Sequence, residues 1–364
     1  MNSLLERLSR KALPWDVALV TDGLGREGAQ TVAAAVPAAP EKVRIMIDHD
    51  TPAGSVAAAE VQKKLLDFSR ERGIEYCCGQ GIGYHLLMER GLSAGEIVIC
   101  GGRHAATVGA VGAVGLCLSP AELKEALETD VVSLDGAPLL GVHLAGELSP
   151  CVTARDLALT MAASGRYAGA LVAIRGSQLT VSQRADVCGL LAAAGARSAF
   201  FGEEIPADET VDLSGVQHMA VLPGDIHQIV PAGSIDGIRV NQVFIGGCAG
   251  GTLEALRLTA EIWRGRKVCP YVRVMVAPAT ASVYVQALDE GVIDVFLDAG
   301  ALVMNQGCSA CWAQSQGRCD GREVFATTGS INCAGWAGKN HNGIYLVSVR
   351  TAAQAALSGS IYEN

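Results

Sequence analysis

Cys308-Ser309-Ala310-Cys311 is a C-x-x-C pair within the small-residue stretch from Gln306 to Trp312, and Cys248 sits upstream in Ile245-Gly246-Gly247-Cys248-Ala249-Gly250-Gly251. Three thiols on two glycine-lined loops can hold a soft metal centre. Thiolate ligates zinc or the iron of an Fe–S cluster, and small neighbours let a bulky inorganic group approach the backbone. The same C-x-x-C spacing suits a zinc site or a redox pair, so spacing alone leaves these open. Three histidines offer a second kind of chemistry. His49, His85 and His104 each lie in a polar or glycine-rich loop that follows a short apolar run. One such histidine is usually a satisfied structural group. Three at the ends of neighbouring parallel strands would converge on one crevice, where general acid–base work becomes possible.

The elements that must position these groups follow from periodicity. Residues 43–47, 74–78 and 96–100 read as buried strands, each ending in one of the histidine loops, and ligands bind at that edge of open α/β sheets. Residues 55–72 carry apolar side chains at helical spacing and read as a covering helix. The run 105–115 suits a helix packed close to a sheet. Residues 120–142 mark a boundary. Helices over 153–162 and 182–194 flank a strand at 168–174, which describes a second, smaller α/β unit. The loop-rich stretch 207–238 reads as a linker. A third unit then runs from the strand 240–245 through helices 253–263 and 283–290 and a strand 271–276 to the C-x-x-C loop, the loop 327–338 and a last strand at 344–349. The expected architecture is therefore three α/β domains, over 1–130, 131–235 and 236–364.

Bulk composition narrows the function classes. With 364 residues, 50% of them hydrophobic, and a mean hydropathy of +0.30, the chain can bury large cores. A net charge of −9 without a basic block argues against nucleic acid as a partner. The charged, amphipathic start from Met1 to Leu8 does not read as an export signal, and no run approaches the roughly 20 apolar residues of a membrane span. A cytoplasmic chain is expected. Most of its 12 cysteines then read as small buried hydrophobes, not a disulfide framework.

Taken in order, these motifs resemble the cluster-bearing large subunit of the aconitase and isopropylmalate dehydratase family over nearly the whole chain. The family's Asp-His resembles Asp48-His49, and its glycine-loop histidine resembles His85. Its Cys-Gly-Asp-Ser-His-Thr-x-Thr-x-Gly-Ala motif is similar to the stretch from Cys100 to Ala110, which contains Arg103 and His104. Its Gly-Ser-Cys-Thr-Asn and Cys-x-x-Cys loops resemble those of Cys248 and of Cys308 and Cys311. The resemblance implies three aconitase-like domains around a [4Fe-4S] cluster held by these three cysteines, with one iron free to act as a Lewis acid. It also implies catalytic roles for Asp48, His49, His85 and His104. Nothing in the chain resembles the family's swivelling domain, so a small subunit carrying it, and with it the serine base, is implied as a partner.

The departures concern the substrate. Gly102 and Arg103 stand where the family has Asp-Ser, Ala249 and Gly250 where it has Thr-Asn, and Ile331 and Trp336 where it has two arginines. The family's active-site glutamate falls on Ala193. An arginine fork is the natural clamp for a carboxylate, and neither isoleucine nor tryptophan replaces it. The expected function is an Fe–S hydro-lyase or isomerase acting on a hydroxy-acid with fewer carboxylates or a more apolar body. Arg103, Ser330, Ile331 and Trp336 are its expected substrate contacts. The alternative is a cluster kept for structure, redox or iron sensing.

Overall fold

The structure, a computed structural model, describes residues 4–134, 136–176, 178–338 and 343–362, so the first three residues of the N-terminal segment lie outside it. Short runs of three to seven largely apolar residues build its inner strands, and side chains buried on both faces require covering helices. Helix ends are written into the sequence. Ser55 caps Val56–Arg72 by accepting the Ala58 N–H, and Gly73, in the left-handed region, ends that helix. Ser119 and Thr180 form capping boxes before Pro120–Thr129 and Val181–Ala193.

Three sheets repeat one plan. The first orders its strands Glu75–Cys78, Val43–Ile47, Val17–Thr21, Ile97–Cys100, Val114–Cys117, all parallel. The second runs Ser198–Phe201, Leu171–Arg175, Leu139–Ala145, Glu209–Asp212, also parallel. The parallel part of the third runs Ile344–Leu346, Phe325–Thr327, Gln242–Ile245, Arg273–Val276, Leu302–Val303. In each, the first strand in sequence is central and the chain winds outward in both directions. This doubly wound order leaves a crevice at the carboxyl ends where the winding reverses.

The expected three α/β units are present as three parallel sheets, and several short elements add to the sequence reading. Val17–Thr21, at the centre of the first sheet, precedes every strand expected there. The stretch 207–238, read as a linker, gives Glu209–Asp212 to the second sheet. It also gives Met219–Val221 and Ile229–Pro231 to the third, where they pair antiparallel. Residues 105–111 form a 3-10 helix. Among the described residues no helix is long and apolar enough to cross a membrane.

Buried apolar clusters cross from sheet to sheet. Leu171, Ala173, Phe200 and Ile205 of the second unit belong to the core of the first, together with Val20, Ile45 and Phe68. Phe244, Met275 and Phe325 of the third lie in the core of the second. Between the first and third units, Ile82 donates its N–H to the Ala279 carbonyl and Ala281 donates to that of Gln80, both at 2.8 Å. Gly109 shows how close the first two units come: a Cβ there would sit 2.0 Å from the Ala199 carbonyl oxygen.

Candidate active site

The crevices of the first and third sheets face one another. From the first come Asp22 after Val17–Thr21, the Asp48-His49 turn after Val43–Ile47, and the 101–104 loop after Ile97–Cys100. From the third come the Cys248 loop after Gln242–Ile245, the loop bearing Ser330 after Phe325–Thr327, and the C-x-x-C loop after Leu302–Val303. The second unit supplies a wall from two helices. Together they enclose a cavity of 270 Å³ lined by His49, Arg103, His104, all three cysteines of the two loops, Ser330, Ile331 and Trp336, with Arg155 and Asp186 on the helical wall.

Three carboxylates stand around the His49 turn. Asp22, 6% exposed, accepts the backbone N–H groups of Asp48, His49 and Asp50 at 3.1 to 3.2 Å. Burial opposes its charge, but the His49 ring and these N–H groups prevail and hold its pKa down to about 2. Asp48, fully buried behind the cavity wall, accepts from His49 Nδ1 at 2.5 Å and from the Gly83 N–H at 2.8 Å. For His49 too burial disfavours charge, and the Asp48 and Asp22 carboxylates outweigh it, raising its pKa to about 10. The ring packs edge-on against Trp312, centroids 4.7 Å apart. Its Nε2 has no hydrogen-bond partner among the described residues.

His104 lies opposite in character. Burial, with cationic His49 and Arg103 nearby, pushes its pKa down to about 4, and its Nε2 is 2.6 Å from Ser330 Oγ. His85 is placed otherwise than the sequence suggested. It lies on the helix Gly83–Glu89, outside the main cavity, and its Nε2 is 2.8 Å from the Cys248 carbonyl; that oxygen can only accept, so the ring donates. Burial lowers its pKa. It braces the cysteine loop from behind and opens onto a separate cavity with Met88 and Val283.

The C-x-x-C loop is pinned to the histidine turn. Cys308 donates its N–H to the Asp48 carbonyl at 2.9 Å, Cys311 donates to the Cys308 carbonyl at 3.0 Å, and Trp336 Nε1 donates to the Cys311 carbonyl at 2.8 Å. Ligand atoms of Asp48, His49 and Cys308 all lie within 4.8 Å of one another. Cys248, Cys308 and Cys311 are free thiols, and burial, reinforced for Cys248 by Cys311 and for Cys308 by Asp48, pushes their pKa values up. A bound cation reverses that penalty. One neighbour is held small: a Cβ on Gly329 would lie 3.1 Å from Cys311 Sγ, tighter than an ordinary contact. Three thiols lining one cavity are the donor set that a three-cysteine cluster would need. Cys319 and Cys333 do not line this cavity.

Some groups here escaped the sequence reading. Asp22 follows a strand, Val17–Thr21, that the sequence reading does not include. Arg155 and Asp186 come from the second-unit helices Ala154–Ala163 and Val181–Ala193. Arg155 Nη1 donates to the Thr328 carbonyl at 2.9 Å, Nη2 donates to that of Gly329, and Nη1 stands 3.5 Å from the Asp186 carboxylate. The signal for Arg155 was an Arg-Asp pair at the start of an otherwise apolar helix. From the second helix the cavity is lined by Ala185, Asp186, Gly189 and Leu190, and Ala193 does not reach it. Arg103 is exposed at the cavity and makes no hydrogen bond or ion pair among the described residues.

A profile of the Aconitase family (aconitate hydratase) matches residues 24–214 and 216–359. The chain belongs to the aconitase family. This aconitase-family chain is 31% identical over 377 aligned positions to the 3-isopropylmalate dehydratase large subunit 1 of Deinococcus radiodurans, covering 95% of this chain and 87% of that protein. It is 32% identical to the homoaconitase large subunit of Thermus thermophilus over 357 positions, covering 89% and 85%. These names are of hydro-lyases, in accord with the enzyme class expected from sequence. In fold it is like the crystal structure of Thermococcus kodakaraensis aconitase X (holo-form), with a TM-score of 0.55 at 13% identity, covering 88% of this chain and 84% of that one.

Proposed function

We propose that this chain is the large subunit of an aconitase-type hydro-lyase that dehydrates or isomerises a hydroxy-acid, together with a small subunit that carries a swivelling domain. The observation that carries the reading is the convergence of the Cys248, Cys308 and Cys311 thiols with His49, His104 and Ser330 on one cavity. Cys248, Cys308 and Cys311 would hold a [4Fe-4S] cluster, which would supply Lewis acidity toward the substrate hydroxyl. His49, kept protonated by Asp48 and Asp22, donates from Nε2 to the departing hydroxyl. The neutral His104 and Ser330 orient the substrate, and Arg103 receives a carboxylate at the cavity mouth. Ile331 and Trp336 favour an apolar or smaller body where a second and third carboxylate would need arginines. The names of the two relatives as large subunits support a partner, and the low-pKa His104 and cationic His49 in one cavity argue against a cluster kept only for structure or sensing.

The test is anaerobic purification with iron and sulfide analysis, followed by a panel of 2-hydroxy and 3-hydroxy acids with the candidate small subunit present. Dehydration of a mono- or dicarboxylic substrate that depends on both subunits is expected. A protein without iron and sulfide, inert toward every hydroxy-acid with its partner bound, refutes the proposal.

A further inference from the structure

Dehydrating a hydroxy-acid removes a hydroxyl and also a proton from the neighbouring carbon, and that proton needs an acceptor. His49, cationic and with Nδ1 held by Asp48, can give a proton but not take one. His104 has its Nε2 occupied by Ser330, and a pKa pushed down to about 4 makes it a weak base. Arg103 and Arg155 are cations, and the three thiols would be taken up by the cluster. One anion is left. Among the described residues Asp186 is the sole carboxylate lining the main cavity. It sits mid-way along the helix Val181–Ala193, which is seated tightly on the first unit: a Cβ on Gly189 would lie 2.9 Å from Thr107 Oγ1. The Asp186 side chain is 17% exposed, makes no hydrogen bond among the described residues, and has neither oxygen sealed away. Its ion-pair partner Arg155 stands 3.5 Å away and donates to the Thr328 and Gly329 carbonyls. Burial, reinforced by Asp156, outweighs Arg155 and raises the Asp186 pKa, so this carboxylate is a better proton acceptor than an ordinary one.

We propose, resting on the dehydratase reading, that Asp186 is the general base: it takes the C2 proton of a 3-hydroxy acid whose carboxylate Arg103 holds. The acceptor then belongs to the second unit of this chain and does not arrive with the partner. The C2–H bond breaks, its electron pair forms the C2–C3 double bond, and the C3–O bond breaks. The hydroxyl leaves as water with the Nε2 proton of His49. Asp186 ends as the neutral acid and His49 as the neutral imidazole, and exchange with solvent restores both. The position of the hydroxyl follows from the charges. A C–H proton is acidic only beside a group that can receive its electron pair, and Arg103 is the one cavity guanidinium without a partner among the described residues. Ile331 and Trp336 offer no second clamp, so the carboxylate must sit on the carbon that loses the proton, with the hydroxyl on the next. The Asp186 charge is among those that push up the Cys248 thiol, which sets it near the cysteine end of the cavity.

The experiment uses the anaerobically reconstituted, partner-bound protein in D2O with a panel of short 3-hydroxy and 2-hydroxy monocarboxylic acids. Proton NMR follows loss of the C2 proton, the fluorescence of Trp312 and Trp336 follows binding, and visible absorbance follows the cluster. Exchange at C2 of a 3-hydroxy acid is expected. Since a general base contributes about 10²–10⁴-fold, Asp186→Asn should lower the exchange rate at least about 100-fold with binding and absorbance retained. Asp186→Glu, which keeps the carboxylate, should recover part of it. A small subunit whose base serine is changed to Ala should leave C2 exchange in place. A smaller loss in Asp186→Asn, or exchange that vanishes with the altered small subunit, overturns the proposal. The second measurement decides the matter even if the Asp186 variants fail to fold. A cluster-loaded complex that binds none of the acids overturns the dehydratase reading as well, whereas binding of 3-hydroxy acids without C2 exchange overturns this inference alone.

Discussion

Replacing Arg155 by leucine removes a guanidinium that is 2% exposed and bound to two buried carbonyls, those of Thr328 and Gly329. It also takes the partner from Asp186 at 3.5 Å. Leucine fills part of the volume but donates nothing. A hydrogen bond from a charged donor is worth about 1.5–3 kcal/mol net, and breaking a buried ion pair by removing one partner costs about 3–5 kcal/mol. The three losses share one side chain and do not add, so we expect Arg155→Leu to lose about 3–5 kcal/mol of stability. The damage should be local as well as global. Thr328 and Gly329 lead into Ser330, which lines the cavity beside Cys311 and pairs with His104. Urea unfolding followed by tryptophan fluorescence gives the first quantity, and hydrogen exchange over residues 327–331 gives the second. Arg155→Lys, which can satisfy one carbonyl at most, should fall between. A Leu variant within about 1 kcal/mol of wild type, with unchanged exchange in that loop, would show that Arg155 does not hold it.

Changing Cys248, Cys308 or Cys311 singly to Ser should abolish the brown visible absorbance of anaerobically purified protein, while Cys319→Ser and Cys333→Ser keep it; unchanged iron and sulfide in Cys311→Ser would contradict the three-thiol site. Citrate and isopropylmalate should bind the reconstituted, partner-bound protein at least about 100-fold more weakly than they would a site with two arginine forks, each worth about 1.5–3 kcal/mol. Micromolar affinity for either that survives Arg103→Ala, read by calorimetric titration, runs against this. Since His85 only donates to the Cys248 carbonyl, His85→Gln should retain most of the cluster and His85→Ala should lose it faster in air; identical bleaching rates would remove the bracing role.

Much of the fold was legible because the central strands are short apolar runs closed by turn residues, as in 43–47 and 242–245, and each run ends where its loop begins to carry polar groups. The cysteine and histidine loops are therefore legible as carboxyl-edge loops from the sequence. Val17–Thr21 is as apolar, but no chemistry-bearing motif follows it, and Phe325–Thr327 is too short to show a period. Ile229–Pro231, at the edge of the third sheet, and its inner neighbour Met219–Val221 are strands of three residues, which pairing and not propensity makes into strands. His85 lies off the main cavity for a geometric reason: it falls inside a helical turn, and a helix sends successive side chains around its axis, so sequence proximity to a strand end does not aim the ring at the crevice. The partnership of Arg155 with carbonyls 173 and 174 residues away leaves no local trace.

The cores shared between sheets give the cavity fixed dimensions. To part the first sheet from the second, Leu171, Phe200 and Ile205 would have to meet water, at about 1.5–3 kcal/mol for each large side chain. That keeps an opened form below about one molecule in a thousand at equilibrium. The walls thus behave as a socket machined to one gauge, and a substrate is judged by its own shape and charge instead of by how far the protein yields. Grafting a new specificity onto this chain then becomes a matter of relining the socket at Arg103, Ile331 and Trp336, with the three-sheet frame left untouched.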